Sequence, residues 1–244
     1  MQEIDVTVFA ASRSMMRPRF LVDLSGTQLG YIAKGAAALR DVVDPQELMI
    51  RLYCPAPVVA FTTRELRRPG YQDATRAARS HGFTPVVRGP GGHAAAYHQQ
   101  SLCIEVFGTA QDPRRRIHER YEVFNEALRN VLEDLGVSTH QGQLPAEYCP
   151  GESSLMSHGV KVVGSAQRLS GSRWMWGAGL IISKAVSIKS ALTEIYALLG
   201  LELNPSTIGS LEDLNVRTTP EECASRIRER FDTADLYSAV GSLS

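Results

Sequence analysis

The sequence contains no apolar run of the about 20 residues that are needed to cross a bilayer. Its longest apolar stretch, around residues 188–201, is interrupted by Lys189 and Glu194. The first 30 residues also lack the continuous apolar core of a secretory signal. We therefore expect a cytoplasmic protein that does not associate with membranes.

Cysteine is scarce, and the four residues present, Cys54, Cys103, Cys149 and Cys223, include no CxxC pair. This pattern argues against a zinc knuckle or a disulfide framework and predicts reduced thiols. The histidines show no metal-ligand spacing, so we expect no metal site. The chain also has no net charge, because its 26 basic and 26 acidic side chains cancel. Nucleic acid is therefore not an expected partner.

The chain has 244 residues, of which 43% are apolar and 21% are charged. This composition is typical of a globular protein. A chain of this length can bury a large core without a disulfide or a metal. No internal repeat or long linker divides it. One compact unit is therefore predicted.

Hydrophobic patterning predicts a mixture of strands and helices. Residues 49–53 and 58–61 read as two strands that form a hairpin or lie side by side, separated by a turn with Pro55 and Pro57. Residues 160–163 and 180–182 are expected to pair around a polar hairpin. Further strands are predicted at residues 84–87 and 102–106, and helices at 71–80, 121–135, 188–199 and from Pro220 onward.

The glycine-rich segment 89–92 is the first candidate for chemistry. Its backbone amides can approach a carbonyl or phosphate oxygen closely, because glycine has no side chain. It lacks the spacing of a Walker or a Rossmann loop. A plain turn explains the pattern equally well.

Lys161 and Cys149 are the other two candidates. Strand alternation places Lys161 opposite Val160 and Val162, where its ammonium could stabilise an oxyanion in a pocket, or could simply be exposed at a sheet rim. Cys149 lies in a Pro-Gly turn shortly before Lys161, and a neighbouring cation would favour its thiolate. An inert core thiol, as expected for Cys54 and Cys103, is the alternative.

Two segments in this order, RGPGGHAAAYH at 88–98 and GVKVVGSAQR at 159–168, resemble the lipoate and octanoate branch of the biotin and lipoate protein ligase superfamily. The resemblance implies an α+β fold, with a central, mostly antiparallel sheet and a smaller sheet flanked by helices. It also implies a catalytic domain at residues 30–244, after an N-terminal extension at 1–29 and without a C-terminal accessory domain. The sequence departs from the family pattern at Val87, His93 and Trp176.

The resemblance also implies roles for individual residues. Cys149 and Lys161 would be catalytic. The acyl-binding cleft would contain Arg88, Gly91, Gly92, His93, Tyr97, His98, Gly164, Ser165, Ala166 and Gln167.

The family contains ATP-dependent ligases, which form an acyl-adenylate, and cysteine-dependent transferases. The YCPG motif at 148–151 resembles the cysteine motif of the transferases. It implies that an octanoyl or lipoyl group passes from an acyl-carrying donor protein to a lysine of a lipoyl-domain protein through a Cys149 thioester, without a cofactor. The alternatives are a lipoate-protein ligase that uses ATP and magnesium, and an inactive acyl-binding paralogue.

Overall fold

The structure is a computed structural model that describes residues 17–29, 32, 38–39, 44 and 46–242. Its strands are β1 Arg17–Gln28, β2 Glu47–Pro55, β3 Val58–Phe61, β4 Thr84–Val87, β5 Ala95–Tyr97, β6 Ser101–Thr109, β7 His140–Gly142, β8 Ser154–Ser157, β9 Val160–Ser170 and β10 Arg173–Ile181. Its helices are α1 Tyr71–Ser80, α2 Ile117–Asp134, α3 Ala185–Leu198, α4 Pro220–Phe231 and α5 Ala234–Gly241. No helix in these described ranges is long and apolar enough to span a membrane.

The strands form two sheets. The large sheet has the order β1-β2-β6-β10-β9-β8-β7, and the small sheet has the order β4-β3-β5. In the large sheet β1 and β2 are parallel, whereas the other neighbouring pairs are antiparallel. In the small sheet β3 is parallel to β4 and antiparallel to β5. The expected α+β architecture, with a mostly antiparallel sheet and a smaller one, is therefore confirmed.

One prediction needs correction. The strands β2 and β3 do not pair with each other, since β2 belongs to the large sheet and β3 to the small one. Pro55 ends β2 and Pro57 precedes β3, and neither has a backbone N–H for a ladder. The N–H of Ala56 between them donates to the carbonyl of Gln28 at 3.1 Å. Residues 17–28 of the predicted extension form the edge strand β1 of the large sheet. The boundary at residue 30 otherwise stays a prediction.

Each sheet packs helices on one face. The large sheet packs against α2, α4 and α5, and at its centre the ring of Phe124 lies 4.9 Å from Trp176 and 5.9 Å from Phe231. The small sheet packs against α1 and α3. The predicted start of α4 is confirmed, because the Thr219 side chain accepts the N–H of Glu222 with proline at the next position.

The other face of the large sheet carries a strip of very small residues. Gly164 of β9 is paired with Gly179 of β10, and Ala166 is paired with Gly177. A side chain at Gly179 would place its Cβ 2.4 Å from the ring of Tyr97, which comes from the small sheet. The missing side chains therefore leave room between the two sheets, and the candidate site lies there.

Candidate active site

A cavity of ≈ 640 Å³, its open mouth included, lies between the two sheets. Residues from both sequence motifs and from the cysteine turn line it together. The predicted site residues among them are Arg88, Tyr97, Cys149, Lys161, Gly164, Ser165 and Ala166.

Cys149 occupies a constrained position at this cavity. Its φ of 44° lies in the left-handed region, which a residue with a side chain adopts only when its surroundings hold it there. Its N–H donates to the hydroxyl of Tyr196 at 2.7 Å, and that hydroxyl donates to the carbonyl of Ala94 at 2.9 Å. Helix α3 and the residue that precedes β5 therefore fix the backbone of the cysteine.

The sulfur of Cys149 has two nitrogen donors. Nη2 of Arg88 lies 3.2 Å from Sγ, and the backbone N of His93 lies 3.3 Å away. A positive charge and an N–H donor both stabilise negative charge on sulfur. Gly92 makes this approach possible, because a Cβ there would lie 2.5 Å from Sγ, and its φ of 98° also favours glycine.

Lys161 is buried behind the cysteine turn, with 1% of its side chain exposed. Its Nζ lies 3.3 Å from Oε1 of Glu147, 3.1 Å from the carbonyl of Tyr148 and 2.7 Å from that of Cys149. These three acceptors match the three N–H groups of an ammonium. Burial lowers the pKa of Lys161 below its ordinary value, and the neighbouring Cys149 and Glu147 oppose that shift.

The local backbone explains how Lys161 reaches the turn. Pairing between β8 and β9 shifts register, so that Leu155 faces Val163 and Met156 faces Lys161, which leaves Val162 as an extra residue. Both Val162 and Val163 join the large core. Gly164 leaves space for the lysine stem, since a Cβ there would lie 3.0 Å from its Cε.

Sequence reasoning missed Glu147, which is fully buried beneath the turn. Besides its contact with Lys161, it accepts the backbone N–H groups of Gly151 at 3.1 Å and Leu144 at 3.3 Å. A carboxylate two positions before a candidate nucleophile was the available signal. Tyr196 and Glu65 were missed as well, because they come from distant segments without a motif.

The wall of the cavity farther along the large sheet is not uniformly apolar. Glu105 lines it and accepts Nε of Arg51 at 2.9 Å and the hydroxyl of Tyr53 at 3.2 Å. Burial raises the pKa of Glu105, and Arg51 opposes that shift. Cys103 also lines this part, next to Tyr53 across the strands.

Several predicted site residues lie elsewhere. The His98 ring contacts the carbonyl of Lys184 at 3.1 Å and accepts the N–H of Gln100 at 3.1 Å, so it holds the turn between β5 and β6. Gln167 accepts Nε of Arg120 at 2.9 Å. Neither lines the cavity. Gly91 is exposed at the loop surface.

His93 contributes its backbone rather than its ring to the cysteine. Nδ1 of its ring lies 2.9 Å from Oε1 of Glu65. His93 also lines a second cavity, together with Pro150 and Tyr196. Trp176, the third departure from the family pattern, lies in the core on the opposite face of the large sheet.

The remaining cysteines are buried, as predicted for Cys54 and Cys103. Burial raises the pKa of Cys54 to about 12 and that of Cys103 well above its ordinary value. In the described part of the chain, no three His, Cys, Asp or Glu side chains come together as metal ligands.

Known proteins resemble this chain in sequence and in fold. The family described as lipoyl protein ligase A/B catalytic domain matches residues 38–232. An octanoyl-[GcvH]:protein N-octanoyltransferase of Exiguobacterium sp. is 26% identical over 203 residues, which cover 77% of this chain and 71% of the relative.

Two solved structures share the fold at low sequence identity. A lipoate-protein ligase A bound with ATP has a TM-score of 0.70 and 18% identity, covering 90% of this chain and 85% of that one. A bipartite lipoate protein ligase, described with its E2 lipoyl domain from Thermoplasma acidophilum, has a TM-score of 0.67 and 16% identity, covering 90% and 83%.

Proposed function

The chain belongs to the lipoyl protein ligase A/B catalytic-domain family, and from this premise we propose that it transfers an octanoyl or lipoyl group through a thioester on Cys149. The acceptor is a lysine of a lipoyl-domain protein, and the donor is a second protein that carries the acyl group. One observation carries the proposal: Cys149 and Lys161 line one cavity, and the sulfur has two nitrogen donors.

In the first step the Cys149 thiolate attacks the acyl carbonyl carbon of the donor amide. The new bond joins Sγ to that carbon, the C–N bond to the donor lysine breaks, and the leaving amine takes up a proton. In the second step the neutral amine of the acceptor lysine attacks the thioester carbon. The C–S bond breaks, the sulfur leaves as thiolate, and the acceptor nitrogen loses a proton. The net reaction moves the acyl group between lysines and consumes no cofactor.

Arg88 is suited to hold the acyl oxygen during both steps. It lines the cavity, Nη2 contacts the sulfur, and its buried Nε has no hydrogen-bond partner among the described residues. A donor that is buried and unused costs free energy until an acceptor arrives. The developing oxyanion supplies such an acceptor.

Lys161 acts from behind the turn. Its Nζ bonds the carbonyl of Cys149 itself, so it holds the nucleophile in its left-handed conformation. An ammonium whose pKa is lowered by burial also gives up a proton more readily, which suits protonation of the leaving amine. Direct contact between Nζ and the acyl oxygen requires the release of one of its three present acceptors.

Incubation with an octanoylated lipoyl-domain protein, followed by intact mass spectrometry, tests the proposal. We expect an octanoyl adduct on the wild type without ATP, none on Cys149→Ala, and a normal adduct on Cys103→Ala, which changes a thiol in the same cavity. Transfer that requires free acid, ATP and magnesium, and that survives Cys149→Ala, would identify an adenylating ligase instead. Tight binding of octanoate without any transfer would identify an acyl-binding paralogue.

A further inference from the structure

Glu65 is a buried carboxylate that the proposed reaction does not use. It lies in the short 3₁₀ turn Glu65–Arg67, and its side chain is 0% exposed. Its Oε2 accepts the N–H of Thr62 at 2.6 Å and the Thr62 hydroxyl at 2.7 Å. Its Oε1 lies 2.9 Å from Nδ1 of His93. A buried carboxylate is tolerated when its oxygens are bonded in this way, so the Nδ1 contact is part of what keeps Glu65 in place.

His93 connects this carboxylate to the nucleophile. Its ring bonds Glu65, its backbone N–H donates to Sγ of Cys149, and its carbonyl accepts Nη2 of Arg88 at 3.0 Å. That same Nη2 is the second donor to the sulfur. Both groups that contact the sulfur are therefore oriented by the backbone of His93.

The loop that carries His93 has little conformational preference of its own. Gly91 and Gly92 precede it, and glycine populates many backbone conformations with similar free energy. The loop therefore needs an external anchor if the N–H of residue 93 is to stay on the sulfur. The small sheet supplies one through Glu65, since Thr62 follows directly on β3.

We propose that Glu65 and His93 are positioning residues, which anchor the glycine-rich loop so that the His93 amide and the Arg88 guanidinium remain on the Cys149 sulfur. This inference rests on the proposed function only in taking Cys149 as the nucleophile. It also gives a role to His93, at a position where the sequence departs from the family pattern.

The test compares two substitutions at one position. In His93→Asn the amide nitrogen stands the same number of bonds from the backbone as Nδ1, so it can still donate to Glu65. In His93→Ala that donor is lost. The matched control is His81→Ala, which breaks another His–Glu contact of 2.8 Å between His81 and Glu194, on the surface.

The measurement is the rate of Cys149 alkylation by iodoacetamide at pH 7, with the labelled cysteine identified by peptide mass spectrometry. We expect His93→Ala to lower this rate about tenfold, because a donor to the reactive sulfur is displaced. His93→Asn should stay within about threefold of the wild type, and His81→Ala should match it. Glu65→Ala should behave like His93→Ala. If Glu65→Ala fails to fold, the position-93 pair decides, because the His93 side chain is 22% exposed.

Two results would overturn the inference. One is an unchanged alkylation rate in His93→Ala. The other is a rate in His93→Asn as low as in His93→Ala, which would show that the imidazole ring itself, rather than its bond to Glu65, matters. Alkylation needs no acyl donor, so this outcome is separate from the proposed function. A wild type that never forms an octanoyl thioester, yet shows the expected alkylation pattern, would refute the transfer and leave the anchor standing.

Discussion

Cys103 and Cys149 line the same cavity and differ in almost everything else. Cys103 lies within β6, is 4% exposed, and is paired with Tyr53 of β2 on one side and Gly179 of β10 on the other. Burial raises its pKa well above the ordinary value. Cys149 is half-buried in a turn, and its sulfur has the Arg88 guanidinium and a backbone amide as donors.

The difference shows that access to a cavity does not make a thiol reactive. In β6 the backbone N–H groups are directed along the sheet and cannot reach a side chain on its face. In the turn the chain bends so that a second loop can direct an amide at the sulfur. The reactive thiol therefore depends on irregular backbone, and irregular backbone depends on the residues that hold it.

Among substitutions that keep Cys149, the largest effect is expected from removing the space beside its sulfur. In Gly92→Ala the new Cβ would lie 2.5 Å from Sγ, and a φ of 98° is unfavourable for alanine. The sulfur must move away from both donors. Because the loss of one donor at a reacting centre costs about 100- to 1000-fold and misplacement adds to this loss, acyl transfer should fall about 1000-fold. Steady-state transfer from an octanoylated lipoyl-domain protein measures it.

Gly91→Ala is the matched control for this substitution. Its Cβ would meet no atom within 4 Å, and its φ is not in the left-handed region. Transfer by Gly91→Ala should therefore stay near the wild-type rate. Equal losses in the two variants would mean that the loop tolerates no side chain at all, and the specific contact between Gly92 and the sulfur would lose its importance.

A smaller loss of activity, with a large loss of stability, is expected for Lys161→Met. The substitution removes the bonds to the carbonyls of Tyr148 and Cys149 and leaves Glu147 buried without its cation. Breaking a buried pair by removing one partner costs about 3–5 kcal/mol in unfolding free energy. Transfer should fall about 100-fold, as for the loss of one hydrogen-bonding group at an active site.

The double variant Lys161→Met/Glu147→Gln separates the two effects. It removes the unpaired charge, so urea denaturation should show a partial recovery of stability. The carbonyl of Cys149 still lacks its donor, so transfer should remain low. A double variant that regains activity together with stability would show that Lys161 serves the fold alone and has no part in holding the nucleophile.

Sequence patterns predicted the elements better than the contacts between them. The bounds of α1 and β4 agree with the prediction, because helical periodicity and strand composition are local. The two sequence motifs and the cysteine turn do meet at one cavity. The separation of β2 from β3 was not predicted, because a strand pattern does not specify which sheet the strand joins.

The motifs also predicted which segments come together more reliably than they predicted the contacts of individual side chains. His98 and Gln167 belong to the two motifs, but their side chains do not line the cavity. The His98 ring contacts the carbonyl of Lys184, and the Gln167 side chain accepts a hydrogen bond from Arg120. Tyr196 reaches the N–H of Cys149 from helix α3, where it reads as one more core aromatic. Such partners are set by tertiary packing, which a single sequence does not display.

The smallest expected effect concerns a buried thiol and depends on pH. Burial raises the pKa of Cys54 from 9.0 to about 12. Above pH 9 the unfolded chain loses the Cys54 proton while the folded chain keeps it, so the unfolded state binds fewer protons and stability falls as pH rises. The contribution of the protonated Cys54 thiol to the free energy of unfolding is fully present below pH 9. Between pH 8 and pH 10 it should weaken by about 1.4 kcal/mol.

Urea denaturation of the wild type and Cys54→Ala at both pH values measures this contribution. Cys54→Ala is destabilised at pH 8 by its lost volume, but it lacks the titrating thiol, so the gap to the wild type should narrow by that amount at pH 10. Val59→Ala, an equally buried position that does not titrate, should keep a constant gap. A constant gap for Cys54→Ala as well would show that burial alone does not hold this thiol neutral.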